Sequence, residues 1–104
     1  MGEYNTYDEQ LLQALSKLRI YCARQERCTE DVKQKLNKYG LPYHLWDEAI
    51  SYLIEEDYLN EERYAKAYVS GKFRMNQWGR YKIRQGLKMK KISSVNIRLA
   101  MEEI

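Results

Sequence analysis

The sequence has few of the residues on which catalytic and metal sites depend. Its 104 residues include one histidine, His44, and two cysteines, Cys22 and Cys28. Their spacing is not that of a zinc site, and no glycine-rich phosphate-binding loop occurs in the chain. We therefore expect no enzyme activity, catalytic residue, metal, cofactor or small-molecule substrate, and we expect His44 to be solvated or to cap a helix start.

Long apolar runs are also missing. No stretch approaches the roughly eighteen consecutive apolar residues of a membrane span, and the first ten residues lack the basic-then-apolar order of a signal peptide. Without an export signal, Cys22 and Cys28 are expected to be reduced thiols. These features predict a soluble cytoplasmic protein without membrane contact.

Proline and strand-type patterns are scarce, which argues against a β-rich fold. The chain has one proline and five glycines, and apolar and polar residues do not alternate over any useful length. Apolar residues recur instead at helical spacing, as at Leu11, Leu15 and Leu18. Helix-start signals precede six such patterns, at Thr6, Thr29, Pro42, Asn60, Arg80 and Ser93.

An internal repeat relates the two halves of the chain. A shift of 51 residues places Val32 on Ile83, Leu36 on Leu87, Leu41 on Ile92, Trp46 on Ile97, Ala49 on Ala100 and Ile50 on Met101. Each half is too small to bury its apolar faces alone, so neighbouring units should stack. We predict an all-α fold of two tandem three-helix repeats, residues 1–57 and 58–104, stacked in an elongated right-handed or curved array.

Acidic residues are missing from much of the second half. Residues 71–101 contain nine Lys or Arg and no Asp or Glu, whereas residues 1–70 contain nine basic and thirteen acidic residues. A solvated helix face ordinarily mixes charge signs, so this one-signed region indicates an anionic partner; a merely solvated face is the alternative. The candidate binding residues are Lys72, Arg74, Arg80, Lys82, Arg84, Lys88, Lys90 and Lys91.

Helical geometry concentrates part of this charge on the fifth helix. At about 100° per residue, one sector contains Arg80, Arg84, Lys88 and Lys91. We expect Ile83 and Leu87 to point well away from this sector, toward the core.

Aromatic residues accompany the basic ones. Tyr64 and Tyr68 lie at helical spacing, which favours half-buried packing with solvated hydroxyls. Trp78 precedes Gly79 and is expected to pack at the start of the fifth helix. Tyr81 remains as the aromatic side chain that can stack on an unpaired base.

Three segments of the chain carry a recognisable order and spacing. They are residues 24–40, which open with RQERC, residues 59–65, LNEERYA, and residues 79–92, GRYKIRQGLKMKKI. Together they resemble the RecX family of bacterial regulatory proteins, and the resemblance covers about residues 8–104. Cys28, Asn60 and Lys91 depart from the family pattern, in which Ser, Asp and Gly are usual.

The resemblance implies a helical repeat protein that binds the RecA recombinase on its DNA filament. Family members inhibit the recombinase, ATPase and co-protease activities of RecA, which act in recombination, DNA repair and the SOS response, and some contact single- or double-stranded DNA. The basic helix would then meet an acidic RecA surface or phosphates. An independent DNA-binding module acting through the basic second repeat, or a helical scaffold without a nucleic-acid role, are the alternatives.

Overall fold

The computed structural model describes the backbone of residues 6–104 and the side chains of residues 8–104. The α-helices are α1 (Thr6–Arg24), α2 (Thr29–Lys38), α3 (Trp46–Glu55), α4 (Glu61–Arg74), α5 (Arg80–Met89) and α6 (Ser94–Met101). A 3-10 turn, Tyr43–Leu45, precedes α3. Within residues 6–104 no strand occurs, and no helix has the length and hydropathy to cross a membrane. The prediction of an all-α fold with six helices is confirmed.

The six helices form two compact units, which divide between Leu59 and Asn60. The first unit contains α1, α2 and α3, and the second contains α4, α5 and α6. In the first unit α3 packs against both α1 and α2, and in the second α4 packs against both α5 and α6. Each unit is thus a three-helix group with its own apolar interior, as the internal repeat predicts.

Apolar residues at equivalent repeat positions are buried in both units. Val32 and Leu36 of α2 have no exposed surface, and neither do Ile83 and Leu87 of α5. In each pair the residues are four apart, which places them on one face of a helix. The same spacing therefore builds the core of each unit.

Two helix starts were predicted correctly and are stabilised by side-chain caps. The Oδ1 atom of Asn60 accepts a hydrogen bond from the backbone N–H of Arg63 at 2.9 Å. The Oγ atom of Ser93 accepts one from the backbone N–H of Asn96 at 3.2 Å. Each cap satisfies an N–H group that the first helical turn leaves without a partner. Helix α1 begins at Thr6, but the side chain expected to cap it lies outside the described residues.

One N-cap and one helix start were predicted wrongly. The N-cap of α2 is Cys28, and not Thr29, because the Asp31 carboxylate accepts the backbone N–H of Cys28 at 3.1 Å, the spacing of a capping box. Helix α3 begins at Trp46, and not at Pro42. Pro42 has an extended backbone, with ψ of 138°, and introduces only the 3-10 turn.

The acidic end of α3 binds a basic partner. Glu56 follows the last residue of the helix, and its carboxylate accepts two hydrogen bonds from the guanidinium of Arg19, at 2.8 Å from Nη2 and 3.2 Å from Nε. Helix α3 includes Glu55, so it does not end before its acidic residues, and the paired geometry ties α1 to the end of α3.

Helices α2 and α5 end in the same way. Gly40 follows α2 with φ of 73°, and Lys91, at the equivalent position after α5, has φ of 59°. In both turns a backbone N–H closes onto a carbonyl five residues earlier, from Leu41 to Leu36 and from Ile92 to Leu87, each at 3.1 Å. This is the left-handed helix end that glycine ordinarily occupies. The departure at Lys91 therefore leaves the helix end in place and puts a lysine in a strained conformation.

Replacing Lys91 by glycine is expected to stabilise the fold. A left-handed conformation costs a side-chain-bearing residue about 1–2 kcal/mol, part of which is offset by the greater freedom of glycine in the unfolded chain. We expect Lys91→Gly to raise the free energy of unfolding in urea by about 0.5–1 kcal/mol. The reverse change, Gly40→Lys, should lower the free energy of unfolding by a similar amount. A Cβ atom at Gly40 would meet no other atom within 4 Å, so the loss would come from the left-handed backbone conformation alone. A loss of stability in Lys91→Gly would contradict this account.

The two thiols are expected to be unreactive in the folded protein. Cys22 is 7% exposed and Cys28 fully buried, and burial raises the pKa of the Cys22 thiol. Because the pKa of the Cys22 thiol is higher in the folded than in the unfolded chain, the buried thiol stabilises the fold fully below about pH 8.5. This contribution is lost as the pH rises beyond that value. We expect no reaction of either thiol with Ellman's reagent at pH 8 until urea unfolds the chain. If one thiol per chain reacted rapidly in the native protein, the burial of that thiol would be contradicted. The variant Cys28→Ser would then identify which cysteine had reacted.

Candidate functional site

The predicted basic residues do not form one patch. Three of them, Arg80, Arg84 and Lys88, recur every four residues along α5 and line a groove between α5 and α6. Arg98 of α6 lines the same groove. We call this feature, which has a volume of about 480 Å³, the cationic groove.

The four cations of the cationic groove have no ion-pair partner among the described residues. Arg80, Arg84, Lys88 and Arg98 are all exposed. Within the described part of the chain, none of them has a carboxylate within ion-pair distance. One acidic residue, Glu102, lies at the rim of the groove. Like charges held together in this way favour an anion that approaches the groove from outside.

The floor of the cationic groove is apolar. It is lined by Ile97 and Met101 of α6 and by Ile104 near the end of the chain. Ile97 and Met101 are 6% and 4% exposed, so their side chains belong mainly to the core and present only an edge to the groove. The groove therefore combines cationic walls with a hydrophobic base, a combination that binds amphipathic ligands.

The orientation expected for the basic sector was wrong. Ile83 and Leu87 are buried, as predicted, but they do not lie opposite the cations. At about 100° per residue, Leu87 lies only about 20° around the helix axis from Arg80. The basic side chains therefore flank the core and line the α5–α6 groove, and do not project from the far side of α5.

Two of the predicted binding residues, Lys72 and Lys82, contact an aromatic cluster. The Nζ atoms of Lys72 and Lys82 lie 4.6 Å and 4.1 Å from the centre of the Trp78 ring. Trp78 in turn meets Tyr68 edge-on, with ring centres 6.4 Å apart. Cation–π contacts of this length stabilise the fold modestly. The indole thus ties the start of α5 to α4, and both ammonium groups are engaged within the unit.

Tyr68 packs closely on α5 and has Lys90 beside it. A Cβ atom at Gly86 would overlap the Tyr68 hydroxyl, so the glycine permits this close approach. Burial raises the pKa of the Tyr68 hydroxyl, and the positive charge of Lys90 opposes that shift. Tyr64 is buried against Tyr68, with ring centres 5.9 Å apart. Lys90 therefore belongs to the side of α5 that faces Tyr68.

Arg74 and Lys91, the remaining predicted residues, do not line the cationic groove. Arg74 lines a separate groove with Lys66 and Glu103, and there Lys66 lies 3.9 Å from the Glu103 carboxylate and 3.2 Å from that of Glu62. Lys91 occupies the turn after α5. Neither residue is part of the unneutralised cluster.

The groove also contains residues that the candidate set omitted. Arg98 and the floor residues Ile97 and Met101 come from α6. Their helical spacing predicts a helix but not which helix face borders α5. Tyr81, the residue expected to be free for stacking, is 76% exposed and is not among the groove residues.

Comparison with known proteins gives consistent matches. A family model described as the second three-helix domain of RecX matches residues 60–101. The chain is 33% identical over 81 residues to "Regulatory protein RecX" of Pseudomonas savastanoi, covering 78% of this chain and 52% of the relative. It is 30% identical over 97 residues to the protein of the same name from Bacillus cytotoxicus, covering 93% and 36%.

A solved structure has the same fold. The protein titled "Crystal structure of regulatory protein RecX" aligns with a TM-score of 0.83 and 23% sequence identity, over 97% of this chain and 54% of that one. The chain thus spans between about a third and about a half of the length of the curated relatives. The six-helix fold, the matching second domain and the named relatives show that the chain belongs to the RecX family.

Proposed function

We propose that this protein is a non-enzymatic regulator that binds the RecA–DNA filament and inhibits the recombinase, ATPase and co-protease activities of RecA. The proposal extends the family assignment to this chain, because the relatives carry the name of a regulatory protein. The observation that carries it is the cationic groove, in which four cations have no acidic partner among the described residues. Such a groove favours an anionic partner.

The chemistry of the groove supports binding and not catalysis. Its polar residues are Arg80, Arg84, Lys88 and Arg98, together with Ser94 and Glu102. Ser94 has no histidine beside it in the groove to activate its hydroxyl. The groove therefore offers charge and shape for recognition.

Two anionic partners fit this chemistry: an acidic surface of RecA and the phosphates of DNA. Both are attracted by exposed cations, and both contacts weaken as salt screens or replaces them. Filament binding should accordingly fall steeply as ionic strength rises. We place the contact at Arg80, Arg84 and Lys88, which are the predicted residues in the groove.

The test is a reconstitution in which each component is left out in turn. The purified chain is mixed with RecA, single-stranded DNA and ATP, and both ATP hydrolysis and co-sedimentation are measured. Binding to the complete filament with a fall in ATP hydrolysis is the expected result. Co-sedimentation without any change in hydrolysis would overturn the inhibitory part of the proposal, and no association with RecA in any mixture would overturn the whole of it.

The exposure of Tyr81 favours a second candidate, an independent DNA-binding module. An exposed aromatic ring among basic residues is suited to stacking on an unpaired base. However, Arg80, Arg84 and Lys88 line the side of α5 that borders α6, and an inserted recognition helix needs its cations on the outward side. This candidate predicts that the chain binds DNA equally well without RecA and that Tyr81→Ala abolishes that binding.

A further inference from the structure

We infer that the cationic groove binds a short acidic segment of a protein partner, with one aromatic side chain of that segment seated on the groove floor. This inference rests on the proposed function, because it specifies what the groove would recognise on that partner. It is carried by the difference between the groove and the equivalent positions of the first unit.

In the first unit the equivalent positions carry aromatic side chains, Tyr43, which is 79% exposed, and Trp46, which packs against the core of that unit. The 51-residue shift relates Ser94 to Tyr43 and Ile97 to Trp46. The rings of Tyr43 and Trp46 lie 4.9 Å apart, and the indole Nε1–H of Trp46 donates to the backbone carbonyl of Leu41 at 2.8 Å. The second unit has a serine and an isoleucine at these positions, so it lacks both rings.

The two groove positions that lack a ring are small or buried. Ser94 and Ile97 both line the groove, which has a volume of about 480 Å³, within the range of roughly 300–1,000 Å³ typical of ligand sites. Its floor is formed by Ile97, Met101 and Ile104. An aromatic side chain from another protein would bury apolar area there, as Trp46 does in the first unit.

The charges at the equivalent positions also differ between the two units. Arg84 and Arg98 correspond to Lys33 and Asp47, and Lys33 lies 3.8 Å from the Glu30 carboxylate. The equivalents of Arg80 and Lys88 are Thr29 and Asn37. The first unit thus has one positive and one negative charge at these four positions, and the second has four positive charges. The concentration of positive charge is therefore particular to the second unit.

The apolar floor favours a peptide over a nucleic-acid backbone. Phosphates are recognised by cations on exposed surfaces and leave a hydrophobic floor uncovered. Carboxylates that flank an aromatic residue can pair with the guanidinium groups of Arg84 and Arg98 while the ring covers Ile97. One peptide can then pair with the cations of the groove and cover its apolar floor.

The test uses fluorescein-labelled peptides and the intact chain. The peptide Glu-Glu-Phe-Glu-Glu is compared with Glu-Glu-Ala-Glu-Glu and with oligo-dT by fluorescence anisotropy at low ionic strength. Burial of the ring should make the Phe peptide bind about tenfold more tightly than the Ala peptide. Equal affinities of the two peptides, or displacement of the Phe peptide by oligo-dT at lower concentration than by the unlabelled peptide, would overturn the inference.

Two variants separate the floor from the walls. Ser94→Tyr introduces the residue of the first unit and preserves every charge, so it should remove the preference for Phe and leave the weaker binding of the Ala peptide. Arg84→Glu should weaken both peptides by about tenfold or more. Tyr43→Ser is the control in the first unit and should change neither affinity. Circular dichroism confirms the fold of each variant, and an unchanged preference for Phe in folded Ser94→Tyr would overturn the inference.

Failure of this inference is distinguishable from failure of the proposed function. If filament co-sedimentation is lost in Arg84→Glu but fully retained in Ser94→Tyr, the cations bind the filament and the inferred aromatic seat is wrong. If the Phe peptide binds the groove but the chain associates with no RecA filament, the peptide site stands and the proposed function is wrong.

Discussion

Reversing the charges of Arg84 and Lys88 is expected to weaken binding to the RecA–single-stranded DNA filament by about a hundredfold at low ionic strength. The double variant Arg84→Glu/Lys88→Glu replaces two of the four unneutralised cations of the cationic groove with anions. It therefore removes two attractive contacts and adds repulsion toward an acidic partner. Glutamate is a good helix former, so α5 should persist.

The matched control for this variant lies in the first unit. Lys33→Glu/Lys38→Glu produces the same change in net charge on α2, and Lys33 is the repeat equivalent of Arg84. Filament affinity is measured by co-sedimentation across a salt series, in which the parent chain should lose affinity more steeply than the groove variant. Equal losses in the two double variants would mean that net charge, and not the groove, governs binding.

Truncating Leu87 to alanine is expected to cost about 2–5 kcal/mol of stability. Leu87 has no exposed surface and belongs to the core of the second unit. Leu36 is its repeat equivalent and is likewise fully buried, so Leu36→Ala should cost about the same amount in the first unit. A loss of this size is a large share of the total stability of a small domain.

The chain carries a natural fluorescent probe for each unit. Trp46 lies in the first unit and Trp78 in the second, so Trp78→Phe and Trp46→Phe backgrounds report the two urea transitions separately. Leu12→Ala provides the same chemical change at a residue that is 49% exposed, and it should cost less than about 0.5 kcal/mol. Losses below about 1 kcal/mol in both buried variants would contradict the core assignment.

Features set by short-range sequence pattern were predictable. Leu36 and Leu87 follow from helical spacing and the repeat, and Asn60 and Ser93 follow from capping chemistry. The N-cap of α2 was misplaced by one residue, because threonine is a preferred capping residue and cysteine is not, and the Asp31 contact identifies Cys28 only in the structure. The pairing of Arg19 with Glu56 spans 37 residues and had no local signal.

The candidate site was predicted only in part, because its charge is local but its shape is tertiary. Composition identified the basic region, and helical spacing grouped Arg80, Arg84 and Lys88. The distribution of the other lysines depends on where the Trp78 ring lies, and the groove exists because α6 supplies Arg98 and an apolar floor. The number and spacing of charges in the sequence do not specify these contacts between helices.

Site-specific photocross-linking tests most directly whether the cationic groove contacts RecA. A photoreactive phenylalanine analogue is placed at Glu102, on the groove rim, and, as the control, at Ser51, the repeat equivalent in the first unit. Each variant is irradiated with the RecA–DNA filament, and the products are resolved as adducts to RecA or to DNA. We expect a RecA adduct from position 102 that high salt removes, and little or none from position 51. Adducts from position 102 to DNA alone, or equal RecA adducts from both positions, would contradict this expectation.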